Sequence, residues 1–126
     1  MLKRSQVDDL EKLIGQLDSL HSELTALAKK SPNDAVNTFK LSFVNTTIDN
    51  CNRFLGNNYK PFNDFDQFDK DDVPSNSDLT FIIAQYMQAM EKFRSDNIYK
   101  DYRSWYYKIR GSDEKIRTAP PAKLKK

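Results

Sequence analysis

Residues 95–111 read Ser-Asp-Asn-Ile-Tyr-Lys-Asp-Tyr-Arg-Ser-Trp-Tyr-Tyr-Lys-Ile-Arg-Gly, and the reading of this stretch decides the fold. Ser95, Asp96 and Asn97 are three poor helix-interior residues, because their side chains compete for backbone hydrogen bonds. Ile98, Tyr102, Trp105 and Ile109 then resume a 3/4 spacing, and Gly111 closes it. Upstream, Ser75-Asn76-Ser77-Asp78 is a helix cap, and Ile83, Tyr86, Met90 and Phe93 form a seam thickened by Ile82, Met87 and Ala89. The spacing predicts a third helix from about residue 78. Continuous to residue 110 it measures about 50 Å against about 37 Å for the first helix, at ~1.5 Å per residue. The excess either overhangs its neighbours or breaks near Asp96 and folds back as a fourth helix, and both alternatives stay open.

The first helix is the plainest. Leu10, Leu13, Leu17, Leu20, Leu24 and Leu27 alternate spacings of 3 and 4, a coiled-coil-like seam over three heptads, with Ile14, His21 and Ala28 beside it. Ser5 and Asp8 suit its start, and Lys29-Lys30 suit the negative end of its dipole, predicting a helix over residues 5–30. Gly15 inside this run costs about 1 kcal/mol against Ala. Ser31-Pro32-Asn33-Asp34 reads as a cap and first turn. Leu41, Val44, Ile48, Cys51 and Leu55 then make a seam, while Val36, Phe39, Phe43 and Phe54 make a second apolar strip. A helix apolar on two strips is packed on both sides. Gly56-Asn57-Asn58 supplies a left-handed stop, so helix 2 is predicted over residues 32–55, antiparallel to helix 1 across a short junction.

Residues 57–76 have no sustained period. They carry Asp64, Asp66, Asp69, Asp71 and Asp72 among Phe62, Phe65 and Phe68, and the rings are expected to hold a long acidic loop down on the helices. The expected fold is all-α: an antiparallel three- or four-helix bundle over residues 1–111, with crossings near about 20° and this loop between helices 2 and 3. Residues 112–126, with Pro120-Pro121 and three terminal lysines, read as a basic flexible tail.

Composition sets further bounds. The 126 residues are 38% hydrophobic with 8 Phe, 6 Tyr and 1 Trp, enough aromatic area to close one small core. Three Gly and five Pro are too few for the turns of an all-β sandwich. No stretch of 18 apolar residues exists to span a membrane. Met-Leu-Lys-Arg-Ser followed by Asp8, Asp9 and Glu11 lacks the apolar core of a secretory signal, and the single Cys51 reads as a buried hydrophobe in a reducing compartment. A cytoplasmic location is expected. Residues 1–91 hold nine basic and fourteen acidic side chains, and residues 92–126 hold eleven basic and four acidic, so an acidic body carries a basic end.

Few residues offer chemistry. His21 is the only histidine, on the flank of the helix 1 seam with no partner for acid–base or nucleophilic work, and it reads as a boundary residue. An EF-hand register begun at Asp64 meets Phe68, Asp69 and Ser75 where an oxygen ligand, Gly and Glu are needed, so the acidic loop reads as solvated surface or as a partner for the basic end. No Gly-rich phosphate loop is present. No cofactor, metal or catalytic residue is expected. The partner-binding candidates are Tyr99, Lys100, Arg103, Tyr106, Tyr107, Lys108 and Arg110, taken as a basic-aromatic helix face. Arginine and tyrosine dominate protein interfaces, and cations alternating with rings also suit a strand of nucleic acid. The expected function is a small non-catalytic protein-interaction or assembly module, binding another protein or a second copy. The alternative is a nucleic-acid-binding protein using that face and the tail.

Overall fold

In the computed structural model, which describes residues 1–69 and 71–122, the chain is mixed α/β and not the expected all-α bundle. Three helices, α1 (Arg4–Lys30), α2 (Thr38–Tyr59) and α3 (Asn76–Asp96), are followed by strands β1 (Ile98–Asp101), β2 (Ser104–Tyr107) and β3 (Arg117–Thr118). The strands form one antiparallel sheet in the order β1-β2-β3.

The correction falls on the stretch that carries the decision. Asn97 stops α3: its N–H donates to the Arg94 carbonyl (2.9 Å) and its side-chain amide donates to the Phe93 carbonyl (2.8 Å). Beyond it the residues are aromatic and β-branched, types that favour a pleated strand. Ile98 pairs with Tyr107, Tyr99 with Tyr106, Lys100 with Trp105 and Asp101 with Ser104, leaving Tyr102-Arg103 as a two-residue turn. Tyr102, expected in a helical seam, stands at the hairpin tip 94% exposed, whereas Ile98, Tyr107 and Ile109 are buried. The 3/4 spacing of 98, 102, 105 and 109 was a coincidence of strand residues with a turn between them.

Two other expectations change. The helices are not all antiparallel and make no coiled coil. α1 runs antiparallel to both others, but α2 and α3 run parallel, as Asn52 meets Tyr86, Phe54 meets Phe93, and Tyr59 meets Asp96. Sixteen residues connect them. Extended at ~3.3 Å each they reach about 53 Å, more than the ~33 Å length of α2, so the connection can return along the whole helix. Helix α2 also starts six residues later than predicted. Residues 34–36 instead bridge residues 74–76, with the Val36 N–H donating to the Pro74 carbonyl and the Asn76 N–H to the Asp34 carbonyl. Asn37 supplies the cap, accepting from the Lys40 N–H at 2.8 Å. Gly56 interrupts the helix not in the left-handed helical conformation of a stop but at φ 67° and ψ −175°, a backbone open only to glycine, and helical residues resume to Tyr59.

One core joins both layers. Leu10, Leu13, Leu17 and Leu24 of α1, Leu41, Val44, Ile48, Cys51 and Leu55 of α2, and Leu79, Ile83, Tyr86 and Met90 of α3 are continuous with Ile98, Tyr107 and Ile109. Leu20 of the predicted seam is only partly buried, since α1 packs most extensively on α3. The amino terminus closes the sheet end: the Leu2 N–H donates to the Lys108 carbonyl and the Arg110 N–H to the Leu2 carbonyl. Among the described residues no helix is long and apolar enough to cross a membrane.

Candidate interaction surfaces

Three interhelical grooves result from this topology: the return segment covers the one between α2 and α3, and residues 118–122 cover only one end of the one between α1 and α3. The return segment lies between α2 and α3, where Phe62, Phe65 and Phe68 pack on the core in edge-to-face contacts with one another and with Tyr86. The expected anchoring role of these rings is what the packing shows, although no helical turn carries them. Asn45 on α2 pins the segment as a strand would: its amide donates to the Phe68 carbonyl (2.9 Å) and accepts from the Phe68 N–H (2.8 Å).

The carboxy-terminal segment lies along α3 near α1, held by a guanidinium. Arg94 is buried and uses all five of its donors. Two form a bidentate pair with Glu91 (2.7 and 2.8 Å), and three reach Thr118 Oγ1 (2.8 Å), the Ala119 carbonyl (2.8 Å) and the Pro120 carbonyl (2.9 Å). Glu91 in turn accepts from the Ala122 N–H and the Ser95 hydroxyl. Burial alone raises the Glu91 carboxyl, but the hydrogen bonds from Arg94, Ala122 and Ser95 together with the Arg94 charge bring it below its ordinary value. Residues 117–122 of the segment expected to be a flexible tail are therefore bound to the domain. The terminal lysines lie outside the described residues.

The third groove, between α1 and α2, is open. Its volume is about 380 Å³, lined by Gln16, Leu20, Glu23, Leu24, Phe39, Phe43, Val44 and Thr47 among others. Phe39 and Phe43 stand one turn apart on α2, edge-to-face at 5.0 Å, yet are 73% and 55% exposed. These are large apolar surfaces in water, the kind of patch that marks a contact site. Lys40 pairs with Glu23 across the groove at 2.6 Å. The second apolar strip of helix 2 was the sequence signal for this surface. It pointed to packing on both sides, and Val36 and Phe54 of that strip are covered, but Phe39 and Phe43 are not.

The sequence-predicted binding residues are scattered by the change from helix to hairpin. Opposed residues share a sheet face, so Tyr99 and Tyr106 lie together, ring centroids 5.9 Å apart, with Arg117 across from Tyr106 on β3. Arg103 is exposed at the tip and Lys100 is exposed on the other face. Tyr107 is buried, its hydroxyl pushed to a higher pKa by that burial, and it belongs to the core. Lys108 and Arg110 follow β2 and use their backbones to hold Leu2. The helix face that was to unite the seven does not exist. Lys115 and Arg117, which sequence reasoning did not select, join Tyr99 and Tyr106 through the meander, while Tyr102 stands at the hairpin tip. Lys115 lies 5.3 Å from the Tyr106 ring centroid and pairs with Asp101 at 2.6 Å, while Arg117 donates to Ser104 Oγ at 2.7 Å.

Elsewhere the arrangement offers little chemistry. Among the described residues no three His, Cys, Asp or Glu side chains converge where a metal could sit. Cys51 is fully buried, and burial pushes its thiol up to about 12, so it stays protonated and unreactive. His21 is half-buried on α1. No protein-family model matches this chain, and no curated protein or solved structure matches it either.

Proposed function

We propose that this protein is a small non-catalytic assembly module whose α1/α2 groove pairs with the same groove of a second copy. The observation that carries the reading is the exposed Phe39–Phe43 pair over the open α1/α2 groove. The surface is self-complementary. A two-fold axis beside α2 sets Phe39 of one subunit against Phe43 of the partner subunit, and rim charges of both signs, Glu23 and Lys40, can exchange partners across it. Burying two such rings supplies on the order of 3–5 kcal/mol, the anchor a small interface needs. The single Cys51, buried and reduced, supports a cytoplasmic setting.

Light scattering on the purified protein across a concentration series tests the reading. The expected result is a dimer whose Phe39→Glu and Phe43→Glu variants are monomers with unchanged circular dichroism. A wild type that stays monomeric at millimolar concentration, or a dimer indifferent to both substitutions, overturns it.

A further inference from the structure

We propose that the solvent face of the sheet, separate from the helical groove, is a small stacking platform for single-stranded nucleic acid. The first observation is the placement of rings. Tyr99 and Tyr106 are directly opposed on neighbouring antiparallel strands, their planes only 35° apart, on the face away from Ile98 and Tyr107. Tyr102 stands apart at the hairpin tip, in water and with φ 56°. A bulky residue in the left-handed region is strained, and no contact among the described residues compensates for this one. Asn or Gly would make the same turn without the strain.

The second observation is charge. Between Ile98 and Thr118 stand six basic and three acidic side chains, and two of the acids are already occupied, Asp101 by Lys115 and Glu114 by Arg4. Lys115 Nζ lies over the Tyr106 ring and Arg117 stands across from Tyr106 on β3, held by Asp101 and Ser104 respectively, so a base that stacks on Tyr106 takes the place of the lysine; Arg103 follows Tyr102 in the turn. Cations placed beside rings meet phosphates while the rings meet bases, the combination that serves single strands. A duplex hides its base faces and would gain nothing from the tyrosines. An acidic peptide would use the cations and leave the rings idle. Strands of four residues at ~3.3 Å each span about 13 Å, so the platform accommodates two or three nucleotides and binds weakly.

The ion pair between Lys115 and Asp101 gives the site a particular signature. It is exposed on both sides, so its strength is small and a phosphate can take over the lysine. Removing the carboxylate frees that cation and lowers local repulsion, so Asp101→Asn tightens binding.

The experiment is fluorescence anisotropy with the full chain, labelled dT12 and rU12 single strands, a 12-base-pair DNA duplex and a dodeca-glutamate peptide, at two low salt concentrations. The expected result is binding of one or both single strands, with the 2′-hydroxyl separating the two arms. The log-affinity against log-salt slope is about −2 for three phosphate contacts. Tyr106→Ala and Tyr102→Gly each weaken binding at least about fivefold. The second of these relieves strain, so it cannot act by unfolding the hairpin. Asp101→Asn strengthens binding, and Phe39→Glu leaves it unchanged. No binding at low salt, equal affinity for the duplex or the peptide, or indifference to the tyrosine substitutions overturns the proposal.

Discussion

Arg94→Met removes one guanidinium and tests how the sheet is attached to the helices. Arg94 is only 6% exposed, and its five donors serve the Glu91 carboxylate and three acceptors in residues 118–120. Methionine fills much of the same space, so the loss is electrostatic and not a cavity. Glu91 then keeps only the Ala122 N–H and the Ser95 hydroxyl, and three acceptors of the carboxy-terminal segment lose their donor. Breaking a buried pair from one side costs about 3–5 kcal/mol. Glu91 retains some solvent contact, which places this case near about 3 kcal/mol. For a chain of this size that lowers the Tm by roughly 10 °C. Replacing both partners, Arg94→Met with Glu91→Leu, leaves no orphaned charge and recovers most of the loss on the helical side. The released acceptors still leave residues 117–122 unheld. Thermal denaturation followed by circular dichroism gives the first quantity, and amide hydrogen exchange at Thr118 and Ala122 gives the second. A double variant as unstable as the single one, or undiminished amide protection in Arg94→Met, refutes the account of Arg94 as the latch.

The same pair sets a pH dependence. Because the Glu91 pKa is lower folded than unfolded, its contribution is complete above the ordinary glutamate range near about 4.5 and is lost as pH falls through the lower folded value. Urea denaturation between pH 7 and 3 is expected to show a loss that Glu91→Gln flattens. Asn45→Ala removes both bonds that hold Phe68 and costs about 1–2 kcal/mol, with faster proteolytic cutting within residues 60–75 as the readout. Trp105 is half-buried against the core, so Trp105→Ala costs about 2 kcal/mol in chemical denaturation, less than the ~3–5 of a fully buried ring.

Sequence by itself determined the elements that are governed by local rules. Helix α1 follows from its leucine spacing, α3 begins where the Ser75–Asp78 capping box puts it, and Gly56 interrupts α2 with a backbone open only to glycine. The core positions on these helices were legible for the same reason, since a 3.6-residue period names its own buried face. The phenylalanines of the return segment declared themselves as anchors because three rings in an otherwise polar loop have nowhere else to go.

Tertiary structure alone decided the rest. Residues 98–109 carry apolar spacings compatible with a helix and with two strands joined by a turn, and what separates the readings is Asn97 capping α3 and β3 arriving from residues 117–118 to extend the sheet. That partner is ten residues beyond β2 and has no pattern of its own. The direction of α3 relative to α2 depended on whether sixteen residues return along the bundle or turn at its end, which length permits and only Asn45 and the α2/α3 groove settle. Nothing in the sequence marks Arg94, whose five acceptors converge from α3 and the carboxy-terminal segment only in the folded chain. The Phe39–Phe43 surface is the same lesson in reverse: the sequence names an apolar strip, but whether a neighbour covers it depends on where every other element has gone, because burial is a property of the assembled neighbours and not of the strip.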